Sequence, residues 1–178
     1  MASVSDSWLL ILLLPFFSPS FSTDVIESTC NSTSYHDLCV AAVTSTGAAR
    51  SSDARGISAI VLSLALTNAT NSSAYAARMA SAPASAPALR SLFHACAEKY
   101  AAAGEALRWA LKELRVESYD YAFVHASAAA EYPTACRVLF GQRKNASTAV
   151  LYPPELVRRE EDLRRLCTVA VEIISLLG

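Results

Sequence analysis

Read as a pattern of apolar and polar positions, residues 52–178 resolve into four helical stretches separated by short breaks. From Ser52 the chain runs SDARGISAIVLSLALTNATNSSAYAARMASA, with Ile57, Ile60, Val61, Leu64 and Ala65 at helical spacing and Ser52 or Asp53 placed to cap the start. PASAPALR breaks this helix, because proline lacks the donor a continuing helix needs, and Pro87 suits the first turn of the next. There Leu89, Phe93, Cys96, Tyr100, Ala103, Leu107 and Leu111 form an i, i+4, i+7 stripe that ends near Val116. A third pattern starts at Ser118, with Tyr121, Val124, Ala128, Tyr132, Ala135 and Leu139 on one side, and Pro133 is expected to bend or interrupt it. GQRKNASTAVLYPPE reads as a polar loop. After Pro153 and Pro154 a last helix turns Leu156, Leu163, Leu166, Ala170, Ile174 and Leu177 inward, and the charges of ELVRREEDLRR form a solvated outer face.

Four amphipathic helices with short connections predict an all-α, up-down four-helix bundle over 52–178. Composition agrees: 33 of the 178 residues are alanine, the best helix former, and only five are glycine. Lys+Arg (15) and Asp+Glu (16) nearly cancel, which argues against a nucleic-acid or anionic-membrane surface.

The N-terminus changes the setting. A ten-residue run from Trp8 to Phe17 is too short to span a bilayer. Ser20 and Ser22 follow it at the −3 and −1 positions of a cleavage site before Thr23. Residues 1–22 are therefore expected to be a signal peptide, and the mature chain a secreted one that no second apolar run would hold in a membrane. Secretion favours disulfides and makes the four Asn-x-Ser/Thr sequons, at Asn31, Asn68, Asn71 and Asn145, candidates for N-glycosylation. Asn68 and Asn71 are close enough that joint occupancy is not expected.

The segment 23–51 precedes the bundle and holds TCNSTSYHDLC. In a continuous helix the nine positions between Cys30 and Cys39 would advance about 13.5 Å, whereas bridged Cα atoms lie within roughly 7 Å. If these two pair, the chain between them must turn back into a small helical hairpin, stapled because it is too short for its own core. Spacing alone selects no connectivity among the five cysteines. Cys96 and Cys136 fall on the second and third bundle helices. Cys167 lies on the inner stripe of the last, where a buried free thiol is expected and an intermolecular bridge is the alternative. No Cys or His spacing matches a zinc site, so neither metal nor cofactor is expected. An enzyme would have to draw on His36, His94 or His125 with Asp120 or Ser127, and those spacings put no pair on one helix face.

Five segments in order, IESTCNSTSYHDLC, RSSDARGISAIVLSLALTNAT, CAEKYAAAGEAL, ASAAAEYPTAC and EEDLRRLCTVAVEIISLL, make the chain resemble the plant invertase/pectin methylesterase inhibitor family over essentially the whole mature sequence. The resemblance implies a four-helix bundle with an N-terminal hairpin, bridges Cys30–Cys39 and Cys96–Cys136, and a free fifth cysteine, Cys167. In the chain-entropy model the two loops are worth roughly 3 and 4 kcal/mol. It also implies a monomeric, non-enzymatic inhibitor that binds a cell-wall enzyme one-to-one and covers its cleft. Invertase inhibitors of this family typically carry a Pro-Lys-Phe loop. Here Tyr119-Asp120-Tyr121 occupies that place, which together with Ser127-Ala128-Ala129 resembles the pectin methylesterase inhibitors and makes pectin methylesterase the expected partner and invertase the alternative; a non-inhibitory extracellular helical binding protein is the second alternative, since helix bundles host many functions. Glu98 matches an acidic contact position of the family, while Ala102, Ala135 and Val138 stand at other acidic or hydroxyl contact positions. The expected interface is therefore Glu98, Tyr119, Asp120 and Tyr121. Glu98 is equally readable as an ordinary exposed helix charge, and Tyr121, on the inward stripe, as core.

Overall fold

A computed structural model describes residues 21–46, 53–83, 86–142 and 151–178. The expected signal segment lies, up to residue 20, outside the described residues, as do the 47–52 junction and Asn145. Among the described residues there are six helices and no strand: α1 (Phe21–Asn31), α2 (His36–Ser45), α3 (Ala54–Ser81), α4 (Pro87–Arg115), α5 (Tyr119–Gln142) and α6 (Pro154–Ile174). None is long and apolar enough to cross a membrane. The fold is all-α.

Local chemistry sets the helix ends. The Asp53 carboxylate accepts from Gly56 N at 2.8 Å and caps α3. Pro87 and Pro154 each open a helix, where their missing N–H leaves no bond unmade. At the end of α4, Ser118 N donates to Glu113 O at 3.0 Å and Glu117 N to Leu114 O at 3.3 Å, which satisfies two last-turn carbonyls. That closure holds Glu117 at φ 60°, a position that favours glycine. Glutamate there also pairs with Arg55 at 2.6 Å, tying the α4–α5 turn to the start of α3.

The four long helices form a ring: α3 and α5 each pack against both α4 and α6. Their inner faces supply Ile57, Val61, Leu62, Phe93, Tyr100, Leu107, Phe140, Leu156, Leu163 and Ile173, all buried. Cys96 and Cys136 are bonded across α4 and α5, with Cα atoms 4.9 Å apart.

α5 departs from the expected pattern twice. Pro133 does not interrupt it; the helix runs on to Gln142 with the Pro133 ring buried. The buried face is Ala122, Ala126, Ala129, Pro133, Cys136 and Phe140, so the stripe headed by Tyr121, Val124 and Tyr132 is exposed rather than core. The expected face followed the larger side chains. Alanines point inward instead, because only a small face lets α5 approach α4 closely enough for the bridge.

The hairpin is α1 and α2, with Cys30 and Cys39 joined at a Cα separation of 5.5 Å. Ser32 N donates to Thr29 O, and Thr33 N to Cys30 O, which turns the chain back. The hairpin rests on α3 and α6. There Glu172 accepts from Ser34 N at 2.8 Å and from the Ser34 hydroxyl, and the Arg165 guanidinium sits 5.6 Å from the Tyr35 ring centre.

Candidate interaction surface

The outward edge between α4 and α5 carries a group of exposed aromatic side chains. Trp109 on α4 is 42% exposed, as no core-facing tryptophan would be. Its ring stacks on His125 of α5, with centroids 6.2 Å apart and planes 26° from parallel. The Lys112 ammonium lies 4.2 Å from the Trp109 ring centre, a cation–π contact that fixes the indole. Tyr121, one turn before His125 on the same face, is 66% exposed, and Tyr132 continues that face two turns later. The Cys96–Cys136 bridge joins the two helices that carry this strip of Trp109, Tyr121, His125 and Tyr132.

The expected interface residues distribute over this side unevenly. Tyr119, the first residue of α5, is half-buried, its Cβ packed close to Gly178 at the C-terminus. Asp120 is exposed in the first turn of α5, where a carboxylate complements the helix dipole. Tyr121 points outward, which corrects its reading as a core candidate. Glu98 is exposed and paired with His94 at 3.6 Å. It shares α4's outward face with Trp109, about three turns or roughly 16 Å away, and lies about 25 Å from the α5 start. One circular patch of about 800 Å² is roughly 32 Å across, so a single partner surface can reach both ends. Sequence reasoning missed Trp109 and Lys112, and named His125 without its stacking partner. The available signal was Trp109 itself, a large aromatic outside the Leu107/Leu111 stripe.

The remaining candidates lie elsewhere. Ala102 and Ala135 are partly buried and Val138 is exposed on α5. The histidines occupy three separate places: His36 lies between Glu27 and Asp37 on the hairpin, His94 beside Glu98, and His125 on Trp109. The hydrogen bond to Asp37, reinforced by Glu27, raises the His36 pKa above its ordinary value. Cys167 is unbonded and buried, and burial pushes its thiol up to about 12. Among the described residues no group of three or more His, Cys, Asp or Glu could hold a metal ion. Asn31 and Asn71 are exposed; Asn68 is half-buried and accepts from the Ser72 hydroxyl at 3.3 Å.

Fold and surface together define a disulfide-stapled helical bundle that presents a fixed aromatic helix edge to solvent. Its similarities lie with one group of proteins. The sequence profile of the plant invertase/pectin methylesterase inhibitor family matches residues 24–173. The chain is 39% identical over 158 residues to an Arabidopsis thaliana protein named cell wall / vacuolar inhibitor of fructosidase 2, covering 89% of this chain and 86% of that one. It is 42% identical over 160 residues to pectinesterase inhibitor 28 of Oryza sativa subsp. japonica, covering 86% of this chain and 69% of that one. Its fold matches the crystal structure of a mutant form of a pectin methylesterase inhibitor from Arabidopsis, with a TM-score of 0.67 at 17% identity, over 86% of this chain and 97% of that one. The chain belongs to the plant invertase/pectin methylesterase inhibitor family, a family of enzyme inhibitors.

Proposed function

We propose that this protein is a secreted, monomeric inhibitor of pectin methylesterase. It binds the esterase one-to-one through the α4–α5 edge and covers its active-site cleft, with no chemistry of its own. The observation that carries this reading is Asp120, exposed between Tyr119 and Tyr121 in the first helical turn of α5. Invertase inhibitors of the family place a loop lysine there. Glycoside hydrolases work with paired carboxylates, which suits a cation, and Asp120 supplies none at that place. The aromatic strip supplies the anchoring contact: Tyr and Trp dominate interface energetics, and their truncation commonly costs 2 kcal/mol or more. Two disulfides lower the ordering cost of docking. The Trp8–Phe17 run with its cleavage-site serines supports secretion.

Invertase inhibition is the second reading, favoured by the relative named an inhibitor of fructosidase, most of whose length this chain covers. Titrating the oxidised protein against a plant pectin methylesterase and an acid invertase separates the two. Esterase activity falling to zero at one equivalent, with invertase spared, is the expected result. Invertase loss with esterase spared would overturn the proposal. Trp109→Ala and Tyr121→Ala are each expected to weaken esterase inhibition about 30-fold, the equivalent of 2 kcal/mol.

A further inference from the structure

We propose that Asn31 is an N-glycan attachment site and that Asn68 is not, which makes the hairpin side of the bundle its sugar-bearing face. The inference rests on the secretion reading above and on the placement of the sequons. Asn31 is the exposed last residue of α1, and the backbone leaves the helix there, with Ser32 exposed beside it. It sits at the bend of the stapled hairpin, the surface-turn setting in which sequons are used. Its +2 hydroxyl, on Thr33, donates to Cys30 O at 2.8 Å, within the same turn.

Asn68 is in the middle of α3, and its side chain lines the groove between the hairpin and α6, among Tyr35, His36, Leu38, Arg165 and Leu166. A glycan on its amide would have to share that groove with side chains of α6 and the docked hairpin. Asn71, one turn on, is exposed in the middle of α3, away from any turn, and its +2 hydroxyl on Ser73 donates to Ala97 O of α4 at 2.8 Å.

The transfer itself is ordinary. The Asn31 amide nitrogen forms a bond to the anomeric carbon of a polyprenyl-pyrophosphate-linked oligosaccharide supplied in the secretory compartment. The bond from that carbon to the pyrophosphate oxygen breaks, the electron pair leaves with the pyrophosphate, and the amide releases one proton. The hairpin rests on α3 and α6, diagonally across the ring from the α4–α5 edge. A glycan at Asn31 therefore leaves the aromatic strip uncovered.

The test is to express the full chain with its own N-terminus in plant cells and collect it from the medium. A peptide N-glycosidase active on plant glycans, used in heavy-oxygen water, then marks each occupied asparagine as a labelled aspartate for mass spectrometry. The expected result is label at position 31, none at 68, and loss of one glycan's mass in Asn31→Gln with esterase inhibition unchanged. Unlabelled Asn31 in secreted protein, or label at 68, would overturn the site and leave secretion standing. Protein retained in the cytosol without sugar would overturn both.

Discussion

The buried carboxylate of Glu160 makes a sharp stability prediction, because its two partners are unequally exposed. Glu160 is 7% exposed on α6 and accepts from Arg137 Nε of α5 at 3.0 and 3.1 Å and from the Tyr152 hydroxyl at 3.0 Å. The Arg137 side chain is 50% exposed, and its guanidinium lies 5.4 Å from the Tyr152 ring centre. Burial pushes the Tyr152 phenol well above its ordinary range, so it stays a neutral donor. Removing one partner of a buried ion pair costs about 3–5 kcal/mol when the survivor is left buried and charged. Arg137→Ala does this to Glu160, although the half-exposed geometry admits water and lowers the expected cost to about 2–3 kcal/mol. In Glu160→Ala the arginine turns to solvent and only the Tyr152 hydroxyl loses its partner, so about 1–2 kcal/mol is expected. The double variant should resemble Glu160→Ala. Urea unfolding with the disulfides intact reads these differences as midpoint shifts at constant slope. Glu160→Ala costing more than Arg137→Ala, or both falling within about 0.5 kcal/mol of the parent, would refute the reasoning.

Other outcomes follow from burial and charge. Ala126→Leu should overpack the buried face of α5 and cost about 1–3 kcal/mol, whereas Tyr121→Ala should change stability by less than about 0.5 kcal/mol; thermal unfolding distinguishes them, and the opposite order would mean the α5 face is wrong. Cys167, buried and with its thiol pushed up to about 12, should be inert to a disulfide thiol reagent in the native protein and react once the chain is unfolded. His36 has a raised pKa, so its contribution to hairpin stability is complete below about 6.5 and is lost as pH rises through its folded value. NMR titration should place its midpoint above the ordinary histidine value of about 6.5, and Asp37→Asn should move it down more than Glu27→Gln does; an unshifted midpoint would remove the effect.

Where a feature depended on neighbours in sequence, it was legible there. Asp53, Pro87 and Pro154 marked helix starts because capping and the missing proline donor act within one turn. The stripe from Phe93 to Leu107 on α4 gave its buried face correctly, because large apolar residues there alternate with Glu98, Glu105 and Arg108. On the candidate surface, Asp120 and Tyr121 were legible as exposed interface candidates, although Tyr121 also fitted the inward stripe, and the stacking of Trp109 on His125 was not legible because it joins two helices.

The chain by itself thus determined the starts of α3, α4 and α6 and the place where it must fold back if Cys30 and Cys39 pair, since caps, prolines and a nine-residue staple act locally. Only the tertiary structure decided how α5 is rotated. Ala122, Ala126, Ala129 and Ala130 bury little area each, so the contrast between the two faces is small, and the bulk of Tyr121 and Tyr132 points to the wrong one. The decisive quantity is the distance between helix axes: the Cys96–Cys136 bridge and the packing of α4 draw α5 close, which admits methyl groups to the seam and drives the aromatic rings outward, onto the edge proposed to meet the esterase.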